Sequence, residues 1–357
     1  MRPAMRGLTL AMRRISLAAI AIVLLASCAT APTNIGDEYR AAIAPGSVLR
    51  DSRLSSALED RILAIDPLHV SDDDVRRTLS RGPTPRIINV HGGIYPVHLV
   101  MESFARFLMR MGYPESRLRD PGSGDLSHSP YESSLDMAGS LAWYYEHEGV
   151  RPMMIGHSQG GMQIVKVLYE LAGKFDGDVR VYDPIAHAMQ SRTTFVDPLT
   201  GATRPVLGLA LPYASAVAAG GLATLLPNQW VMASRTFAIP DSVEDFTGFS
   251  LGLDLIAMNG PATVDPYHAL GTAHVRNVRL PAEYSHVFVV DTSRLGREEN
   301  ARRWINAWTP ALVGQDPPEG VDKQNIQWAA DVWFSIKQHW ATEAQRFIRA
   351  RRALQNG

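Results

Sequence analysis

Short apolar runs rich in β-branched residues alternate along this chain with longer stretches in which apolar residues recur three and four apart. The runs fall at residues 86–90 (Arg86-Ile87-Ile88-Asn89-Val90), 150–155, 179–182, 206–211, 249–254 and 275–280. Their length and composition predict buried strands. Leu99, Val100, Phe104, Phe107, Leu108 and Met111, closed by Gly112, have the spacing of one amphipathic helix, and Met162, Ile164, Val165, Val167 and Leu168 that of another. A third helix is predicted over residues 132–148. Alternating strands and helices predict an α/β fold with a mostly parallel central sheet and helices on both faces. Right-handed crossovers would then place a site at the carboxyl ends of the strands.

The pattern changes before and after this region. Ser71 ahead of Asp72-Asp73-Asp74 predicts a capped helix start, with acids in the first turn. The same acids lack the ordered ligand spacing of a calcium site. Residues 183–250 form an insert that is polar and turn-rich as far as 204. Its stretch 212–230, rich in Ala, Gly and Leu, predicts a buried helix and loop packed on the sheet. The alternative there is a mobile lid, with Leu222, Leu225 and Leu226 over an acyl pocket. Near the C-terminus Ile326, Ala330, Trp333, Ile336, Trp340 and Phe347 recur at near-helical spacing, followed by Arg346, Arg349, Arg351 and Arg352. That predicts a helix packed on the core with a solvated basic end; a membrane-surface role is the alternative.

Composition narrows the function classes. With 35 Lys and Arg against 36 Asp and Glu in 357 residues, no broad field exists to attract nucleic acid. No metal-ligand cluster, phosphate-cradling glycine loop or dinucleotide motif stands out, so neither metal nor cofactor is expected. Cys28 is the only cysteine, which excludes a disulfide within the chain.

The N-terminus does not read as part of the domain. Arg2, Arg6, Arg13 and Arg14 precede an apolar run over residues 15–26, the order of a secretory signal, and the run is too short to read as a spanning helix. It ends in Leu25-Ala26-Ser27-Cys28, which resembles the lipobox of bacterial lipoproteins. The resemblance implies cleavage before Cys28 and attachment of lipid to it. Ala29 in place of an aspartate would direct a Gram-negative lipoprotein to the outer membrane. The plainer alternative is a signal peptide cut nearby, with Cys28 incidental. Residues 1–27 are thus expected to be a signal peptide, 28–47 a tether and 48–357 a single domain.

Two turns carry the candidate chemistry. The run at 150–155 stops at Gly156-His157-Ser158-Gln159-Gly160-Gly161, and a helical pattern starts at once. Strand, sharp turn and helix with a hydroxyl at the apex make Ser158 a candidate nucleophile, and the flanking glycines allow strand and helix to approach closely. The strand at 86–90 ends in His91-Gly92-Gly93, also followed by a helix.

From about residue 86 to 286 the chain, through His91-Gly92-Gly93 and Gly156-His157-Ser158-Gln159-Gly160, resembles serine hydrolases of the α/β-hydrolase fold on the lipase and esterase side. The resemblance implies an oxyanion hole from the N–H groups of Gln159 and Gly93, with Ile94 as the alternative to Gly93. It also implies an acid and then a histidine downstream of the serine. Of His187, His268, His274, His286 and His339, His286 is the best placed, on a loop beyond the strand at 275–280; His274 is next. For the acid, Asp254 follows an apolar run and precedes Leu255-Ile256, and is preferred to Asp265, Asp241 and Asp183. The expected protein is a lipid-anchored serine hydrolase of the cell envelope. It would cleave ester or lipid-like small molecules through an acyl-enzyme and be held to a membrane by its N-terminal lipid. Acyl transfer or peptide cleavage by the same groups, and a non-catalytic lipoprotein on the same scaffold, are the rivals.

Overall fold

The computed structural model describes residues 47–94, 97–220, 227–252, 254 and 266–356. The expected signal peptide, Cys28 and the tether as far as residue 46, together with Leu222, Leu225, Leu226 and Asp265, lie outside the described residues; Ser47, expected to end the tether, opens the short helix Ser47–Asp51. Five strands form one parallel sheet in chain order: β1 (Ile87–Val90), β2 (Met153–His157), β3 (Leu211–Val217), β4 (Val243–Ser250) and β5 (His274–Arg279). The protein is therefore α/β with an all-parallel central sheet.

Side-chain alternation along each strand sends residues to two cores. Ile87, Met153, Ile155, Tyr213 and Val217 pack under helices α1 (Val97–Met111) and α5 (Ile326–Asn356). Ile88, Val90, Met154, Ala214 and Ala216 pack under α2 (Ser134–Glu148) and α3 (Gln159–Leu171). Being covered on both faces explains why the strands read as continuous apolar runs. A further helix, α4 (Glu299–Ala307), precedes the long C-terminal one. Ser71 caps its helix through Asp74 N–H, and the Asp74 carboxylate accepts the Ser71 N–H in return, a complete capping box. Among the described residues no helix is long and apolar enough to cross a membrane.

Several expectations change, among them the strand expected at 249–254, which runs Val243–Ser250. The third core strand is Leu211–Val217, not 206–211. Val206 and Leu209 are buried as turn residues around Gly208, whose φ is +88°, so their apolarity marks packing and not a strand. The true strand is disguised by Pro212 and by small residues. At Ala216 close packing favours a small residue, because a β-carbon on Gly161 of α3 would lie 3.0 Å from its own. The stretch expected to be a helix and loop thus begins as a central strand. The run at 179–182 contributes only Tyr182 to a two-residue antiparallel ladder with Ala188–Met189, outside the main sheet. Finally, the basic end of α5 is not simply solvated: Arg351 and Arg352 pair with Glu59, and Arg352 also with Asp60. Its Trp328, Trp333 and Trp340 are fully buried, as the core reading of the stripe expected.

The edge strand that carries the His-Gly-Gly turn is anchored at its base by a buried ion pair. Arg86 Nη2 lies 2.6 Å from Glu148 Oε1, and Arg117 Nη1 lies 2.7 Å from the same oxygen. Burial alone would raise the Glu148 carboxyl, but the two guanidinium charges outweigh it and hold the group below its usual range. Glu148→Gln is expected to lower stability by about 3–5 kcal/mol, since it leaves a buried guanidinium uncompensated. Urea unfolding would show this as a shift in midpoint at constant slope.

Candidate active site

Five loops leave the carboxyl ends of the strands, and the candidate residues sit on four of them. Ser158 follows β2 directly and takes φ 55°, ψ −121°, a strained conformation that turns its hydroxyl out of the strand before α3 begins. The Ser158 N–H donates to Val217 O of β3 at 2.8 Å, which fixes the bend to the neighbouring strand. Glycines are required here by contact: a β-carbon on Gly156 would stand 2.6 Å from Gly160 O, and one on Gly160 would run into the carbonyls of Val90 and His91.

His286 lies in an irregular turn beyond β5, and Asp254 just beyond β4. The three side chains form one hydrogen-bonded chain. His286 Nε2 is 2.9 Å from Ser158 Oγ, and His286 Nδ1 is 2.7 Å from Asp254 Oδ2. The imidazole is 9 % exposed and the carboxylate 1 %. A carboxylate accepts only, so Nδ1 carries the proton, and Nε2 is left to accept the serine hydroxyl. That places a base next to a hydroxyl and fixes its tautomer from behind.

The other candidates are elsewhere. His274 opens β5 at the opposite end of the sheet and pairs with Asp245 at 2.6 Å. His268 and His187 are exposed, on a two-residue ladder and in a hairpin turn. His339 is buried on α5 against the Tyr213 ring. Asp241 accepts the N–H groups of Thr272 and Ala273, and Asp183 those of Ile185 and Ala186; both carboxylates hold turns.

The His-Gly-Gly loop lies against the serine. A β-carbon on Gly92 would come within 3.2 Å of Ser158 Cβ, and one on Gly93 would collide with the Gln159 carboxamide. Gln159 is the first residue of α3, so its N–H has no acceptor within the helix. Tyr131 Oη donates to Gly93 O at 2.9 Å. That bond orients the Gly93–Ile94 peptide, and planarity sends the Ile94 N–H the opposite way.

Sequence reading missed the groups that brace this loop. His128 and Tyr131 carry no sequence signal of a role and lie just ahead of the helix expected from 132, yet His128 pairs with the end of β1 through Asn89 O (2.7 Å) and His91 N–H (3.1 Å). Burial would lower the His128 imidazole, but the hydrogen bond it donates to Glu132 and the charges of Glu132 and Asp120 prevail and raise it to about 9. No local periodicity announces these residues, because the strand end they brace is about 40 residues away in sequence. His157 was also read only as a letter of the turn motif. Its imidazole is fully buried, with Nε2 2.6 Å from the main-chain O of His286.

No protein-family model matches the chain, and a search of curated proteins found no match either. The functional reading accordingly rests on the chain's own residues and geometry.

Proposed function

We propose that this chain is a serine hydrolase of the α/β-hydrolase kind that cleaves carboxylic esters through an acyl-enzyme. The observation that carries the reading is the hydrogen-bonded order Ser158–His286–Asp254, assembled at the carboxyl ends of parallel strands. Ser158 Oγ attacks the acyl carbonyl while His286 Nε2 takes the hydroxyl proton. Asp254 stabilises the imidazolium without itself becoming protonated. The N–H groups of Gln159 and of Gly93 or Ile94 receive the oxyanion. Collapse expels the alcohol, which takes the proton from His286. Water, deprotonated by the same imidazole, then releases the acid and restores the serine.

An apolar border supports an acyl or alkyl substituent on the substrate. Ile94 beside Gly93, Tyr131 on the Gly93 carbonyl and Phe288 two residues past His286 are each about half exposed. Lipid attachment at Cys28, holding the domain at a membrane of the cell envelope, is part of the same proposal and rests on the N-terminal sequence alone.

The test is labelling of the purified chain with a fluorophosphonate. Stoichiometric modification at Ser158, together with hydrolysis of a short-chain aryl ester, is the expected result. A chain that neither labels nor turns over would be a binding protein on this scaffold. Product analysis with competing alcohols and amines separates hydrolysis from acyl transfer.

A further inference from the structure

We propose that His157 is a positioning residue that holds the main chain of His286 in register with the serine. The inference rests on the functional reading above and extends it to a residue outside the Ser158–His286–Asp254 chain.

His286 needs such a hold. Residues 281–290 contain neither helix nor strand, and the turn after Tyr284 is closed by Val289 N–H on Ser285 O at 2.9 Å. A small drift of this backbone would lengthen the 2.9 Å contact between His286 Nε2 and Ser158 Oγ. Reactions of this kind lose rate steeply with misplacement of about 1 Å. His157 supplies the restraint from a rigid place, the last residue of β2, inside the sheet. Its ring nitrogen Nε2 lies 2.6 Å from the His286 carbonyl oxygen. One dipeptide, His157-Ser158, therefore grips His286 twice, by its main chain and by its ring.

The chemistry of the imidazole suits this task. A carbonyl oxygen only accepts, so the bond requires a proton on His157 Nε2. Burial and the neighbouring His286 push the His157 imidazole down to about 3, so the ring stays neutral with that single proton. Its other nitrogen, Nδ1, is buried without a hydrogen-bond partner, close to where Gly92 packs. An unsatisfied buried acceptor is a cost to folding. A residue kept only to fill this space would be better apolar, whereas a donor to the His286 carbonyl cannot be.

The experiment compares two variants of the full chain. His157→Leu removes the donor, and His157→Gln keeps an N–H on a side chain of similar reach. The leucine variant is expected to lose roughly 10- to 100-fold in kcat on a short-chain aryl ester with KM changed less than about twofold. Fluorophosphonate labelling of Ser158 should slow by the same factor. The glutamine variant should recover most of the loss, which a role in packing alone would not produce. Imidazole nitrogen NMR of the unmodified protein supplies a readout independent of turnover: His157 should be neutral and protonated on Nε2 between about pH 5 and 8, given the depressed value above. Wild-type kcat in the leucine variant, a glutamine variant no better than leucine, or a proton on Nδ1 would each overturn the proposal. If the leucine variant does not fold, the glutamine variant and the tautomer decide. An unmodified chain that is inert to probe and ester defeats the hydrolase reading instead, while the tautomer still reports whether the bond to His286 exists.

Discussion

Ser158→Ala should lower turnover of a short-chain aryl ester by about 10⁶-fold, to what binding and the oxyanion donors sustain alone. The substitution deletes one atom, the Oγ that stands 2.9 Å from His286 Nε2. Alanine retains the β-carbon, so the backbone at φ 55° is under the same strain as before. The Ser158 N–H bond to Val217 O is a main-chain contact and survives. The variant is therefore expected to fold with an unfolding midpoint close to that of the wild type. Thermal unfolding and steady-state kinetics on the same preparation check both halves. A variant that keeps a tenth of the activity would show that the hydroxyl is not the nucleophile.

Asp254→Asn is expected to reduce kcat by about 10⁴-fold with little change in shape. The Asp254 carboxylate is buried and accepts a hydrogen bond from His286 Nδ1–H at 2.7 Å. An amide in its place can offer its NH₂ to Nδ1. The ring proton would then move to Nε2, where it faces Ser158 Oγ and removes the base. Asparagine also carries no charge to stabilise the imidazolium that forms during attack. The matching changes at Asp183 and Asp241 should cost less than about tenfold, because those carboxylates hold turns away from the histidine. Asp265, beyond the described residues, completes the comparison. If Asp265→Asn proved the most damaging of the four, the acid would have to be reassigned.

Both predictions concern residues that could be named from the chain itself, and for Ser158 the reason is local. Ser158 is announced by a strand, a bend and a helix within a few residues of each other, and His91-Gly92-Gly93 by the same succession. Such signals are carried by neighbours, so they survive in a single sequence. His286 stands out among five histidines only once the resemblance to α/β-hydrolases asks for a histidine after a late strand, and Asp254 only once it asks for an acid at a strand end before that histidine.

Elsewhere the local signal misled. The strand Leu211–Val217 carries Pro212 and small residues, among them Ala216 where helix α3 lies close above it, and so reads poorly as a strand. The buried turn residues Val206 and Leu209 imitated one instead. The arginines at the end of α5 looked solvated, but their acidic partners belong to a short helix near residue 60. In each case the missing information was a contact with a distant part of the chain.

The alternation that makes an α/β protein and the sharp turn that presents Ser158 are legible in the chain, from periodicity, β-branching and glycine placement over windows of about ten residues. The order serine, acid, histidine is what the resemblance to α/β-hydrolases implies. The fold alone reveals that His286 meets a serine 128 residues away, and that its second nitrogen finds Asp254 and not Asp183 or Asp241. It alone showed Tyr131 on the Gly93 carbonyl and His157 on that of His286. The reason is physical: a hydrogen bond depends on tenths of an ångström between side chains on different strands. Those separations are set by how two helical layers and a sheet pack, which no short stretch of sequence records.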